Sequence, residues 1–82
     1  MPEQTAPPQP FVLRGEFIPL DALLKATGLA PSGGTARMVI ADGQVQVDGA
    51  VELRKTAKIR AGQLVCLGTE RIAVQPADGS AP

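Results

Sequence analysis

The sequence of 82 residues contains no histidine, tryptophan or tyrosine, only two phenylalanines and a single cysteine. Each absence closes off chemistry. Without histidine, the usual general base near neutral pH and the commonest metal ligand are missing. One thiol, Cys66, can neither close an intramolecular disulfide nor build a thiolate zinc site. Eight Lys and Arg balance eight Asp and Glu, so there is no net charge at pH 7. Long apolar runs are missing too. Leu64 to Leu67 is the longest such stretch near the C-terminus, far short of a membrane span. Met1 to Pro10 lacks the basic start and apolar stretch of a signal peptide. A cytoplasmic location with no membrane partner is the expectation, and the lone thiol fits it.

Prolines are plentiful and sit mainly at the ends. Residues 1–10 hold four of them and residues 76–82 are built from the same breaker types, so both segments are expected to be disordered. The expected folded domain spans residues 11–75. All eight basic residues lie inside it while Glu3 and Asp78 fall outside, which leaves the domain an excess of two positive charges. A unit of this size buries roughly 60% of its unfolded surface, so every apolar position matters.

Within the domain the hydrophobic period changes once. Leu20, Leu23 and Leu24 have helical spacing, with Pro19 suited to the first helical position, Asp21 to the positive dipole end and Gly28 to the stop. Ser32 is a natural cap for a second helix whose apolar stripe is Ala36, Val39 and Ile40, ended by Gly43. A short connection makes the two a hairpin. After Gly43 the pattern alternates: Val45 and Val47 lead into Asp48-Gly49, a pair favoured in a type I′ turn, and Ala50 to Leu53 can return. Leu64 to Leu67 and Arg71 to Val74 give two more strands, and Phe11 to Leu13 could add another. The helices need an apolar partner, and one face of the sheet supplies it. The expected class is α+β, a two-helix hairpin on a small, mainly antiparallel sheet of three to five strands.

Two features could carry a function. Arg54, Lys55, Lys58 and Arg60 place four cations in seven positions without an acid. Such a run is either a solvated charge cluster or a site for an anion that relieves its self-repulsion, phosphate first among them. The second feature is Ser32-Gly33-Gly34 at a helix start, with Arg37 one turn along the same flank. It reads as a Ser-capped turn or as a place where backbone N–H groups can approach a phosphate. It matches neither the phosphate-loop pattern nor the dinucleotide fingerprint. Cys66 reads as a small packed residue and Asp48 as a turn former. Glu16 and Asp21 have no nucleophile beside them. No catalytic set assembles, and neither an enzyme nor a cofactor or metal site is expected.

The order of these parts resembles the S4 RNA-binding domain. The resemblance is carried by Ile18-Pro19-Leu20-Asp21-Ala22-Leu23-Leu24, Gly28, Ser32, Ala36-Arg37, Ile40 and Gly43-Gln44-Val45-Gln46-Val47-Asp48-Gly49. It continues through Lys58-Ile59 and Ala61-Gly62-Gln63-Leu64-Val65. Closest in look are the short bacterial S4-like proteins made of this domain alone, with Ser-Gly-Gly before an Ala-Lys or Ala-Arg pair. The resemblance implies the αL arrangement, in which two helices and a following β-loop present a basic RNA-binding surface. By position it assigns RNA contact to Arg37, Arg54, Lys55 and Lys58, with Gly33 and Gly34 beside Ser32 at the helix start and Arg60 and Lys25 peripheral. Many larger S4 proteins have Arg where this chain has Gly33, and basic residues at Met38 and Ala41.

Phe11 and Phe17 are the only rings, and both are useful for packing, so a platform of stacked bases is not expected. Recognition by charge and shape remains, which suits structured RNA such as a ribosomal or transfer RNA element. Other RNA-processing or ribosome-associated proteins are further candidate partners. Four to six phosphate contacts would give a log–log salt slope of roughly −3 to −5. The alternative is a protein-interaction adaptor that kept the fold with little or no RNA affinity.

Overall fold

The computed structural model describes residues 8–76. Its elements run β1 (Gln9–Val12), β2 (Ile18–Pro19), α1 (Leu20–Ala26), α2 (Gly33–Ala41), β3 (Val45–Val47), β4 (Ala50–Val51), β5 (Lys58–Ile59), β6 (Leu64–Leu67) and β7 (Glu70–Gln75). Five strands form one sheet in the order β1-β7-β6-β3-β4, and β2 with β5 forms a separate two-stranded ladder. The large sheet is antiparallel except where β1 runs parallel to β7. This is the expected α+β arrangement, with the strand offered at Phe11 to Leu13 present as the parallel edge β1 and the β2–β5 ladder as the addition.

Both helices end as their glycines require. Gly28 and Gly43 take φ of 81° and 80°, a left-handed conformation that costs glycine little. After α2, Gly43 donates to the Ile40 carbonyl and Gln44 to that of Val39, a Schellman closure. Ser32 caps α2 by accepting the Thr35 N–H. The Asp48-Gly49 turn joins β3 to β4 with positive φ at both residues, as a type I′ turn needs.

The core is where the two periods meet. Leu20, Leu23 and Leu24 of α1 and Ala36 and Ile40 of α2 are completely buried against Val45, Val65 and Ile72 of the large sheet and Ile59 of the small one. Among the described residues no polar or charged residue is buried. Each of these leucines contributes about 1.5–3 kcal/mol by leaving water.

Three expectations shift. Strand β1 begins at Gln9, so Gln9 and Pro10 belong to the folded unit rather than to a disordered leader. Proline is tolerated because β1 is a sheet edge and pairs on one side only. Of the two expected disordered segments, residues 1–7 and 77–82 lie outside the described residues. Pro19 is the extended N-cap of α1 (φ −61°, ψ 144°), not its first helical residue. It pairs in β2 with Lys58, which makes part of the basic stretch a short strand instead of a free connection.

Candidate functional site

The first turn of α1 organises the basic residues. Two of the N–H groups that a helix start leaves without intrahelical partners are used here to hold a loop. Leu20 donates to the carbonyl of Ala57 at 2.9 Å, and Asp21 donates to that of Lys55 at 3.0 Å. Pro19 faces Lys58 across the β2–β5 ladder, and Ala57 closes a turn by donating to Arg54. Residues 54–58 are thereby strung along the amino end of α1. Arg54, Lys55, Thr56 and Lys58 are exposed, while Ala57 and Ile59 point into the core. Arg54, Thr56, Ala57 and Lys58 line an open depression of about 490 Å³.

Arg37 comes to the same place from α2. Its guanidinium Nη1 meets the Asp21 carboxylate at 3.3 Å, and the arginine side chain stays half exposed. Gly33 lies beside this contact, where a Cβ would stand 3.4 Å from that nitrogen, at the edge of ordinary van der Waals distance. Asp21 thus touches both basic features, the loop through its backbone and the α2 arginine through its side chain. Lys25 lies one turn beyond Asp21 on the same flank of α1 and is exposed. Ser32, Gly33 and Gly34 occupy the cap and first turn of α2, one turn before Arg37.

Several participants were not evident from the sequence. Asp21 stands between the two cationic features, so the ground between them carries one carboxylate. Glu52 grips Arg54 with both carboxylate oxygens, at 3.0 and 3.3 Å, and also accepts the Arg54 backbone N–H. Hydrogen bonding from the Arg54 side chain, and next from its backbone, holds the Glu52 carboxyl below its ordinary pKa. The spacing of Glu52 and Arg54, two apart in an extended segment, was the available signal. Phe17, expected to pack, is 40% exposed and stands outside the core. Lys58 Nζ lies 5.1 Å from the centroid of its ring and the Arg60 guanidinium 5.8 Å. Arg60 therefore sits beside Phe17, just past β5, rather than in the loop facing Arg37.

A model of the S4 domain matches residues 11–75. This chain belongs to the S4 domain family. A protein of Escherichia coli (strain K12) named "Putative RNA-binding protein YbcJ" is 52% identical over 52 residues, which is 63% of this chain and 74% of that one. A Shigella flexneri protein, "Uncharacterized protein YbcJ", matches to the same extent. The solution structure of E. coli YbcJ, described as revealing an αL motif involved in RNA binding, superposes with a TM-score of 0.67 at 41% identity. That match covers 92% of this chain and 96% of the other. The two-helix hairpin, the β-loop after it and the sheet beneath are therefore the S4 arrangement.

The described residues contain no group of three or more His, Cys, Asp or Glu placed to hold a metal ion. None of the helices among them is long and apolar enough to cross a membrane. Cys66 is half-buried, with a free thiol.

Proposed function

We propose that this S4 domain binds structured RNA without catalysing a reaction, through a basic surface made by Arg37 of α2 and by Arg54, Lys55 and Lys58 of the following loop. The observation that carries this reading is the double engagement of Asp21, which draws the α2 arginine and the loop to one helix end. Lys25 and Arg60 extend the surface at its rim, and Ser32, Gly33 and Gly34 form its α2 border. The name of the E. coli relative and the description of its structure support the same reading. The targets are double-helical or folded elements of the ribosomal or transfer RNA kind, in the cytoplasm, met there alone or alongside RNA-processing or ribosome-associated proteins. Such elements offer phosphates at fixed spacing, which charge and shape can recognise without reading bases.

A second reading, a protein-interaction adaptor with little RNA affinity, is favoured by one observation. Arg37 and Arg54 already have carboxylate partners in the free protein. Surface ion pairs of this sort are weak and screened by salt, so phosphate can displace them.

The test is the double variant Arg54→Ala/Lys55→Ala, titrated against total transfer RNA and ribosomal RNA over a range of salt. The fold should stay intact, because both side chains are exposed, while affinity falls and the log–log salt slope flattens by about 2. Crosslinking in cells followed by sequencing of bound RNA, with the double variant as control, identifies the target. Retention of a protein partner in high salt, with no mobility shift on either RNA, would select the adaptor.

A further inference from the structure

We propose that Phe17 and the cleft beside it take one unpaired nucleobase at the rim of the RNA surface, with Lys58 and Arg60 holding the flanking phosphates. This rests on the RNA-binding reading above and adds to it a position where a base, not only a backbone, is held.

Phe17 is not part of the packed core, and the contacts its ring makes are with two cations. It is 40% exposed in a chain with only one other aromatic residue, and it is not among the apolar side chains packed on the core. The ladder explains why it faces outward. Ile18 pairs with Ile59, and these two point inward, so the alternation of an extended chain turns Phe17, Lys58 and Arg60 to the opposite face. That outer face gathers an aromatic ring and two cations, at 5.1 and 5.8 Å from its centroid.

Next to the ring lies an open, mainly apolar cleft of about 560 Å³, lined in part by Pro10, Phe11, Leu13, Phe17 and Ile18. Its volume falls in the range of about 300–1,000 Å³ usual for small-ligand sites. Arg14 is the one charged residue among those lining it, and the neighbouring Glu16 does not line it. The chemistry is that of a nucleotide: a flat apolar surface for a base, and cations on two sides for phosphates. A guanidinium plane such as that of Arg60 can also stack on a base. The cleft continues the proposed interface, because Lys58 belongs both to the basic loop and to the cations around Phe17. One ring cannot read a run of bases. It can hold a single bulged or terminal nucleotide next to a helix.

The experiment uses two short RNA hairpins, identical except that one carries a single bulged adenosine. At low salt the unaltered protein should bind the bulged hairpin more tightly, by roughly 5- to 150-fold, the range expected for stacking one base on an aromatic ring. Phe17→Ala should abolish that preference, read as the ratio of the two affinities, while binding of the fully paired hairpin persists because Lys58 and Arg60 keep their charges. Phe17→Tyr should keep the preference. Arg54→Ala/Lys55→Ala should weaken both complexes alike and preserve it. With 2-aminopurine as the bulged base, emission should change on adding the unaltered protein or Phe17→Tyr, and not Phe17→Ala. Equal affinity of the unaltered protein for the two hairpins, or a preference that survives in folded Phe17→Ala, would overturn the base site and leave the RNA reading standing. Binding to neither hairpin would overturn both.

Discussion

The main-chain N–H of Asp21 donates to the carbonyl oxygen of Lys55 across 3.0 Å, which ties the first turn of α1 to the basic loop. The same residue holds Arg37 through its carboxylate and accepts the Ala22 N–H on its other oxygen at 2.8 Å. Asp21 therefore assembles the cationic surface and also subtracts a charge from it. Asp21→Asn separates the two effects. The amide oxygen can still accept from Ala22, and the backbone bond to Lys55 does not involve the side chain. Stability should drop by about 0.3–1 kcal/mol, the usual worth of an anion at a helix start. RNA affinity should rise about two- to fivefold as Arg37 is released from an exposed pair. Thermal denaturation and a filter-binding titration on one sample measure both. A fall in affinity would mean that Asp21 aims Arg37 at the RNA rather than restraining it.

Glu52 restrains Arg54 in the same manner, and its titration gives the pH behaviour a sign. Hydrogen bonds from Arg54 depress the carboxyl pKa in the folded state. The stabilisation from this pair is therefore complete above the pKa of an unfolded glutamate, about 4.3, and is lost as pH falls through the lower folded value. Between about pH 5.5 and 7.5 Glu52 stays ionised, and there is no histidine to titrate, so RNA affinity should be flat across that window. At neutral pH Glu52→Gln removes the carboxylate that competes with phosphate for Arg54 and should raise RNA affinity about two- to fivefold, with the log–log salt slope kept because Arg54 already counts in it. The difference in melting temperature between this variant and the unaltered protein should narrow as pH drops below about 4. Unchanged RNA affinity in folded Glu52→Gln would take Arg54 out of the interface.

Most of the fold was legible because its signals are local. The Leu20-Leu23-Leu24 spacing, the Ser32 cap, the stops at Gly28 and Gly43 and the Asp48-Gly49 turn each depend on residues within one or two turns of each other. The string from Ser32 to Gly49 is the most specific part of the resemblance to the S4 domain. What escaped depends on distance. The strand expected at Phe11 to Leu13 starts two residues earlier, at Gln9, and runs parallel to β7, a pairing some sixty residues away that no local signal announces. The β2–β5 ladder was hidden because Ile18-Pro19 resembles a helix start and Lys58-Ile59 sits in a charged run. The candidate site follows the same rule. Its cations could be read off the chain, and Glu52 left a signal two residues from Arg54, but the partner of Arg37 left none. Arg37 and Asp21 are sixteen residues apart and meet only once the helical hairpin has formed. The outward turn of Phe17 follows from the ladder, so it too waits on tertiary structure.

Asp48 shows how a turn residue can acquire a long-range duty. Its φ of 53° is the only positive value at a non-glycine position among the described residues. Its backbone N–H donates to the Leu64 carbonyl at 2.8 Å, and its carboxylate accepts the Leu64 N–H at 2.9 Å, so it clasps the start of β6 from both sides. Asn tolerates the left-handed conformation and keeps an acceptor, so Asp48→Asn should cost under about 0.5 kcal/mol. Gly suits the conformation but leaves the Leu64 N–H without its side-chain acceptor, for a loss of about 1 kcal/mol. Ala forfeits both, and Asp48→Ala should lose about 2 kcal/mol, lowering the melting temperature by roughly 8–16 °C. The expected order of stability is Asn above Gly above Ala, read from chemical denaturation of the three variants. If Gly fell to the level of Ala, the side-chain bond to Leu64 would be the whole effect and the backbone conformation would contribute nothing.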